Sequence, residues 1–179
     1  MKQPSRSEIA FHEAGHAVAF ARFDDAGSVT IVANRDGSAL GHVIHAAGFD
    51  RMAQNADSPK EKRDRARYII ATLAGYAAQV RYNNGGLKWA RICSAGDFAD
   101  QELLTAVRSL NKPLQHWEQT TMTWVSKAQN WNAITCIATE LLERNSLSPL
   151  EVESLVHLAD NPLDPVWREW LNSARNDDA

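Results

Sequence analysis

Residues 10–20 read "AFHEAGHAVAF". His12 and His16 stand four positions apart, and Glu13 follows the first histidine directly. A helix turns about 100° per residue, so positions four apart share a face. Two imidazoles so placed can point ring nitrogens at one ion, and Glu13, part of a turn away, can reach a water beside it. This HExxH spacing is what a zinc site with an open position requires. The competing reading is an amphipathic helix with two partly buried histidines. In a chain of this length and composition the arrangement arises by chance roughly once in a hundred.

The flanks define the helix that carries the motif. Ser5 with Glu8 three residues on is a capping-box pattern. Ile9, His12, Glu13, His16, Ala17 and Phe20 recur at helical spacing, and Asp24, Asp25 and Gly27 end the run. Gly15 weakens a helix by about 1 kcal/mol relative to alanine. Its place between the histidines implies that another element packs closely there.

Two histidines do not hold a catalytic zinc; a third protein ligand is needed. Asp97, in "SAGDFADQELL" (94–104), is the candidate, since a carboxylate at a helix start is favoured by the helix dipole. Asp100 and Glu102 compete locally, and His42 and His45 are the competing imidazoles. An N-terminal capping role suits Asp97 equally well on these residues alone.

Further along, "SVTIVA" (28–33) alternates and is β-branched, which predicts a strand. "NRDGS" (34–38) is a turn, "ALGHVIHA" (39–46) a second strand antiparallel to the first, and "GFDRMAQNADS" (48–58) a loop. A long helix is predicted over 58–82, with Ser58, Pro59 and Glu61 forming its start and "NNGG" its stop. After a short loop a third helix is predicted from Ser94 or Gly96 to Leu110. Two more follow, roughly Leu114–Gln129 and Trp131–Arg144. A capped short helix begins at Ser148 with Pro149 and Glu151, and the tail 159–179 docks through Trp167 and Trp170 before fraying.

The bounds are those of one ordinary globular domain: 179 residues, 44% hydrophobic, net charge −3. The negative balance and the lack of any nucleic-acid motif argue against nucleic acid as partner. Cys93 and Cys136 form no framework, the first residues are too polar for a signal peptide, and no apolar run approaches about 20 residues. The expectation is a cytoplasmic chain with no membrane partner. Trp117, Trp124 and Trp131 recur at sevens, which reads as a packing stripe, and "KEKRDRAR" (60–67) as a solvated face. His116 and His157 read as packing or surface residues, Cys93 as a small buried thiol.

"FHEAGHAVAF" resembles the zinc motif of the FtsH family of ATP-dependent zinc metallopeptidases. "SVTIVANRDGSALGHVIH" is similar to that family's strand pair and "IIATLAGYAAQV" to its apolar helix with a Gly-x-Ala-Ala-Glu core. "CSAGDFADQELLTAV" is similar to its Asn-Asp segment and "AITCIATELLERNSLSPLEVESLV" to its closing helices. The likeness runs in order from about Ile9 to Leu158, leaving 159–179 as a tail. It implies an α+β, mostly helical, zincin-like metallopeptidase domain with five or six helices and a small β-hairpin sheet beside the active-site helix. It implies Zn²⁺ held by His12, His16 and Asp97, Glu13 as general base, and peptide or unfolded-protein substrates. It also implies a substrate-binding edge at Leu40, Gly41 and His42, by strand addition.

The departures are specific. Gln79 stands where the family has an acid, Tyr76 where it has an arginine, and Gly96 where it has the asparagine before the metal-binding aspartate. No GxxxxGK[ST] phosphate loop occurs, so no ATP is expected on this chain, and it reads as a free-standing peptidase domain, with a homo-oligomer or a partner protein both left open. The alternative is a catalytically weak or inactive zinc-binding, peptide-binding domain of the same fold.

Overall fold

The structure, a computed structural model, describes residues 3–33, 41–44 and 58–162. In chain order the elements are α1 (Arg6–Arg22), β1 (Ser28–Thr30), β2 (His42–Ile44), α2 (Pro59–Tyr82), α3 (Leu87–Cys93), α4 (Ala95–Ala99), α5 (Gln101–Ser109), α6 (Leu114–Ser126), α7 (Ala128–Arg144), β3 (Ser146–Leu147) and α8 (Pro149–Asp160). This is an α+β architecture, mostly helical, with one small antiparallel sheet in the order β2-β1-β3.

Three helices start as their sequences dictate. At α1, Ser5 Oγ accepts the Glu8 N–H at 3.2 Å, and Ser5 N–H donates to the Glu8 carboxylate at 2.7 Å. The same reciprocal box opens α2 at Ser58 and Glu61, and α8 at Ser148 and Glu151. Each satisfies N–H groups that the first helical turn would otherwise leave without partners.

α1 lies between α2 and α7. Its small residues Ala10, Ala14 and Ala17 are fully buried, with Val18, against Ala77 and Ala78 on one side and Ile134, Ile137 and Leu141 on the other. Gly15 explains how close the helices come. A Cβ there would lie 2.8 Å from the Ala74 carbonyl carbon and 2.9 Å from Ala78 Cβ, so the close packing expected at this glycine is present. A second cluster joins Phe20 with Ile69, Leu73, Leu103, Val107 and Trp117.

The sheet pairs Ser28 with Ile44, Val29 with Val43, and Thr30 with His42. Val29 is buried and Val43 packs on the core, so one face of this pair is closed over α1. β3 was not expected. It is two residues between helices, and only its pairing with β1, Val29 opposite Leu147, makes it a strand. Asn145, in the left-handed region at φ 69°, ends α7 and turns the chain into it.

The region 94–110 departs from the single helix that was expected. Asp100, at ψ 123°, interrupts it, and its carboxylate caps α5 by accepting the Leu103 N–H at 2.7 Å. The "short loop" before Ser94 is α3, anchored where Trp89 Nε1 donates to Glu8 at 2.7 Å. The described residues therefore hold eight helices rather than five or six. The tryptophan stripe is a packing feature: Trp117 is buried, and Trp124 and Trp131 pack partly against the core. It spans two helices, since the chain breaks at Lys127. No described helix is long and apolar enough to cross a membrane. The turn 34–38, the loop 48–57, Leu40, His45 and the tryptophans of the tail lie outside the described residues.

Candidate metal centre and its cleft

α1 presents His12, Glu13 and His16 to one side, and α4, more than seventy residues downstream, brings Asp97 to meet them. The two histidine Nε2 atoms are 3.1 Å apart. Asp97 Oδ2 is 3.3 Å from His12 Nε2 and 3.6 Å from His16 Nε2. Four ligands placed tetrahedrally at about 2.0–2.1 Å from zinc are about 3.3–3.4 Å from one another. The observed triangle has the edges of such a coordination face. His12, His16 and Asp97 are also the group among the described residues that could hold a metal ion.

The second ring nitrogens orient the first. His16 Nδ1 lies 2.8 Å from the Ala71 carbonyl oxygen. That oxygen only accepts, so Nδ1 carries the proton and Nε2 presents its lone pair. His12 Nδ1 lies 3.4 Å from Ser94 Oγ. Asp97 Oδ2 is buried with no hydrogen-bond partner. A buried carboxylate oxygen within 3.6 Å of two imidazole Nε2 atoms is a donor set that fits a divalent cation. Asp97 sits in the first turn of α4, whose cap position is Ser94, so its carboxylate faces the histidines instead of closing the helix end.

Two glycines seat this group. A Cβ at Gly75 of α2 would strike the His16 ring, 2.7 Å from Cδ2 and 2.8 Å from Cε1. A Cβ at Gly41, just before β2, would lie 2.8 Å from both Cγ and Oε1 of Glu13. The start of β2 thus presses on the Glu13 side chain and limits its rotamers.

The electrostatics follow from burial and proximity. Burial raises the pKa of Glu13, with the neighbouring imidazoles His12 and His16 acting against it. For Asp97 burial also pushes upward, but His16 and His12 outweigh it and hold the carboxyl below its ordinary range. For His16 burial pushes downward, and the Asp97 carboxylate outweighs it, so its pKa is raised. These opposed shifts are two views of one attraction.

The group lies in a cleft of about 510 Å³ that Gly41, His42 and Val43 line from the sheet side and Tyr68, Thr72 and Gln79 from α2. That volume suits a bound ligand segment. Of the competing residues, Asp100 is the α5 cap and also accepts from the Tyr68 hydroxyl at 3.4 Å, and Glu102 is exposed. His42 borders the cleft without joining the three converging atoms, and its Nδ1 is buried without a partner. Cys93 lines the cleft and is half-buried rather than buried. Gly75, the Ala71 carbonyl and Ser94 are site components that motif spacing does not point to. Gly75 had a signal of the same kind as Gly15, a helix-interior glycine that costs stability unless something packs against it.

No family model matches the chain, and no curated protein matches it either.

Proposed function

We propose that the protein is a zinc-dependent endopeptidase of zincin-like, FtsH-type architecture, acting on peptides or unfolded segments. His12, His16 and Asp97 would hold Zn²⁺, and Glu13 is the general base. The observation that carries this reading is the convergence of His12 Nε2, His16 Nε2 and Asp97 Oδ2 within 3.6 Å, beside a buried carboxylate.

Zinc in that position supplies Lewis acidity, which makes water available as a nucleophile near neutral pH. Glu13 takes a proton from the attacking water and returns it to the departing amine. Gly41 lies close against the Glu13 side chain, which a Cβ there would displace. β2 is an edge of the described sheet and borders the cleft, so an extended peptide can pair along it at Gly41 and His42 with its scissile carbonyl over the three donor atoms.

The second reading, a zinc-binding domain that holds peptides without cutting them, draws on Gln79, a neutral amide buried in the cleft where the resemblance implies an acid. A fluorogenic peptide assay with zinc content measured on the same samples separates the two. We expect cleavage by the native protein, loss on chelation, and a fall of about 10²–10⁴-fold in Glu13→Gln with zinc retained. Zinc bound but equal, baseline signals from both proteins would leave the binding reading. Absence of zinc after purification without chelators would end both.

A further inference from the structure

The two ends of the cleft differ in chemistry. α1 and α2 run antiparallel: His16 meets Ala71 and Gly75, while Glu8 meets Asn83. Gln79, one turn beyond Gly75, therefore sits between the level of His12 and that of Glu8. At the other end the walls are Phe20 and Tyr68. At this end they are Glu8, Gln79 and Cys93, with Pro4 and Ile9 as the apolar surface.

Two observations at this end bear on what it can bind. Gln79 is 1% exposed and lines the cleft; its amide bonds the Cys93 thiol, and its Oε1 accepts no hydrogen bond. Leaving a buried acceptor without a donor is costly. Glu8 is also buried, and the bonds that hold its carboxylate come from the neutral N–H groups of Ser5 (2.7 Å), Asn83 (3.0 Å) and Trp89 (2.7 Å). These bonds outweigh the effect of burial and keep its pKa below the ordinary value, so the group is charged at neutral pH. Its charge is solvated by dipoles and not offset by a cation in these bonds.

We propose that this end of the cleft is a substrate subsite that selects a lysine or arginine side chain, its cationic head donating to Gln79 Oε1 in the field of Glu8. The methylene stem would lie along Pro4 and Ile9, as long cationic side chains do on apolar surface. An acceptor left bare beside a negative charge favours a charged donor over a neutral one. The proposal rests on the peptide-binding reading of the cleft and adds which residue the cleft prefers.

Binding to the zinc-loaded Glu13→Gln protein, which separates recognition from turnover, tests it. Fluorescein-labelled peptides identical except for lysine, arginine, norleucine or glutamate at one position, scanned along the peptide, are compared by anisotropy. At one position the lysine or arginine peptide should bind about tenfold or more tighter than norleucine, with glutamate weakest, and added salt should shrink the gap. Adding Gln79→Met should erase most of the difference; circular dichroism and zinc content verify that variant's fold, and the four-peptide series on the parent protein stands without it. Equal affinities at every position, or a preference unchanged in Gln79→Met, would overturn the subsite and leave the peptidase reading intact. No binding by any peptide would overturn both.

Discussion

At the scale of single residues, two glycines do different jobs, and this can be measured. Gly75 makes room for the His16 ring, whereas Gly41 makes room for the Glu13 carboxylate. Gly75→Ala should displace a ligand and weaken metal affinity about 10–100-fold, as loss of ligand-orienting contacts does. Gly41→Ala should leave zinc stoichiometry unchanged and lower turnover about 10²-fold, since it shifts the base and not the ligands. Zinc content by mass spectrometry alongside peptide hydrolysis gives both readouts. If Gly41→Ala lost the metal, or Gly75→Ala kept both metal and activity, the division of labour drawn from these contacts would be wrong.

At the scale of elements, the capping boxes make helix starts sensitive to acid. Burial pushes the Glu8 and Glu151 carboxyls up, but their bonds to Ser5 and Ser148 respectively, with Trp89 and Asn83 at Glu8 and Arg144 at Glu151, bring both below the ordinary value of 4.5. A folded-state pKa below the unfolded one contributes stability that is present above about pH 4.5 and lost as pH falls through the folded value. Urea midpoints should therefore decline between about pH 5 and pH 3, and Glu151→Gln should flatten part of that decline. A decline of unchanged steepness in that variant would refute the assignment. Ser148→Ala removes the side-chain half of the α8 box and should cost about 1 kcal/mol at neutral pH, read from the same melts. Glu8 does more than cap α1. Through Trp89 and Asn83 it ties the start of α1 to α3 and to the end of α2, and α3 leads directly into the turn that carries Asp97.

At the scale of the whole molecule, α7 and α8 back α1 without lining the cleft. Leu141 is fully buried in the cluster that joins α1, α7, α8 and β1. Leu141→Ala should cost about 2–5 kcal/mol in chemical denaturation while leaving metal affinity within about twofold, because that residue does not line the cleft. A large loss of zinc in the folded variant would show that α7 sets the ligand geometry. The half-buried Arg22–Asp160 pair joins the end of α1 to the end of α8 and closes this backing.

The chain itself determined the local features: the helix of His12, Glu13 and His16, the boxes at Ser5, Ser58 and Ser148, and the antiparallel pairing of β1 with β2. Each depends on neighbours within a few residues, so spacing alone expresses it. The close approach at Gly15 was legible for the same reason, since a helix-interior glycine needs a packing explanation. What the tertiary structure decided is long-range. Residues alone left Asp97 even between a cap and a ligand, and only the packing of α4 against α2 and α3 turned its carboxylate toward the imidazoles. β3 exists only because β1 offers it a ladder, and α3 is anchored at long range, by Trp89 on Glu8 and by Ala90 against Tyr76 and Val80. The Gly75 seat for His16 and the bare Gln79 acceptor likewise depend on which turn of α2 faces which turn of α1. A two-residue strand, a seven-residue helix and an interhelical register carry too little free energy in their own sequence to declare themselves. They form where the surrounding packing supplies the rest.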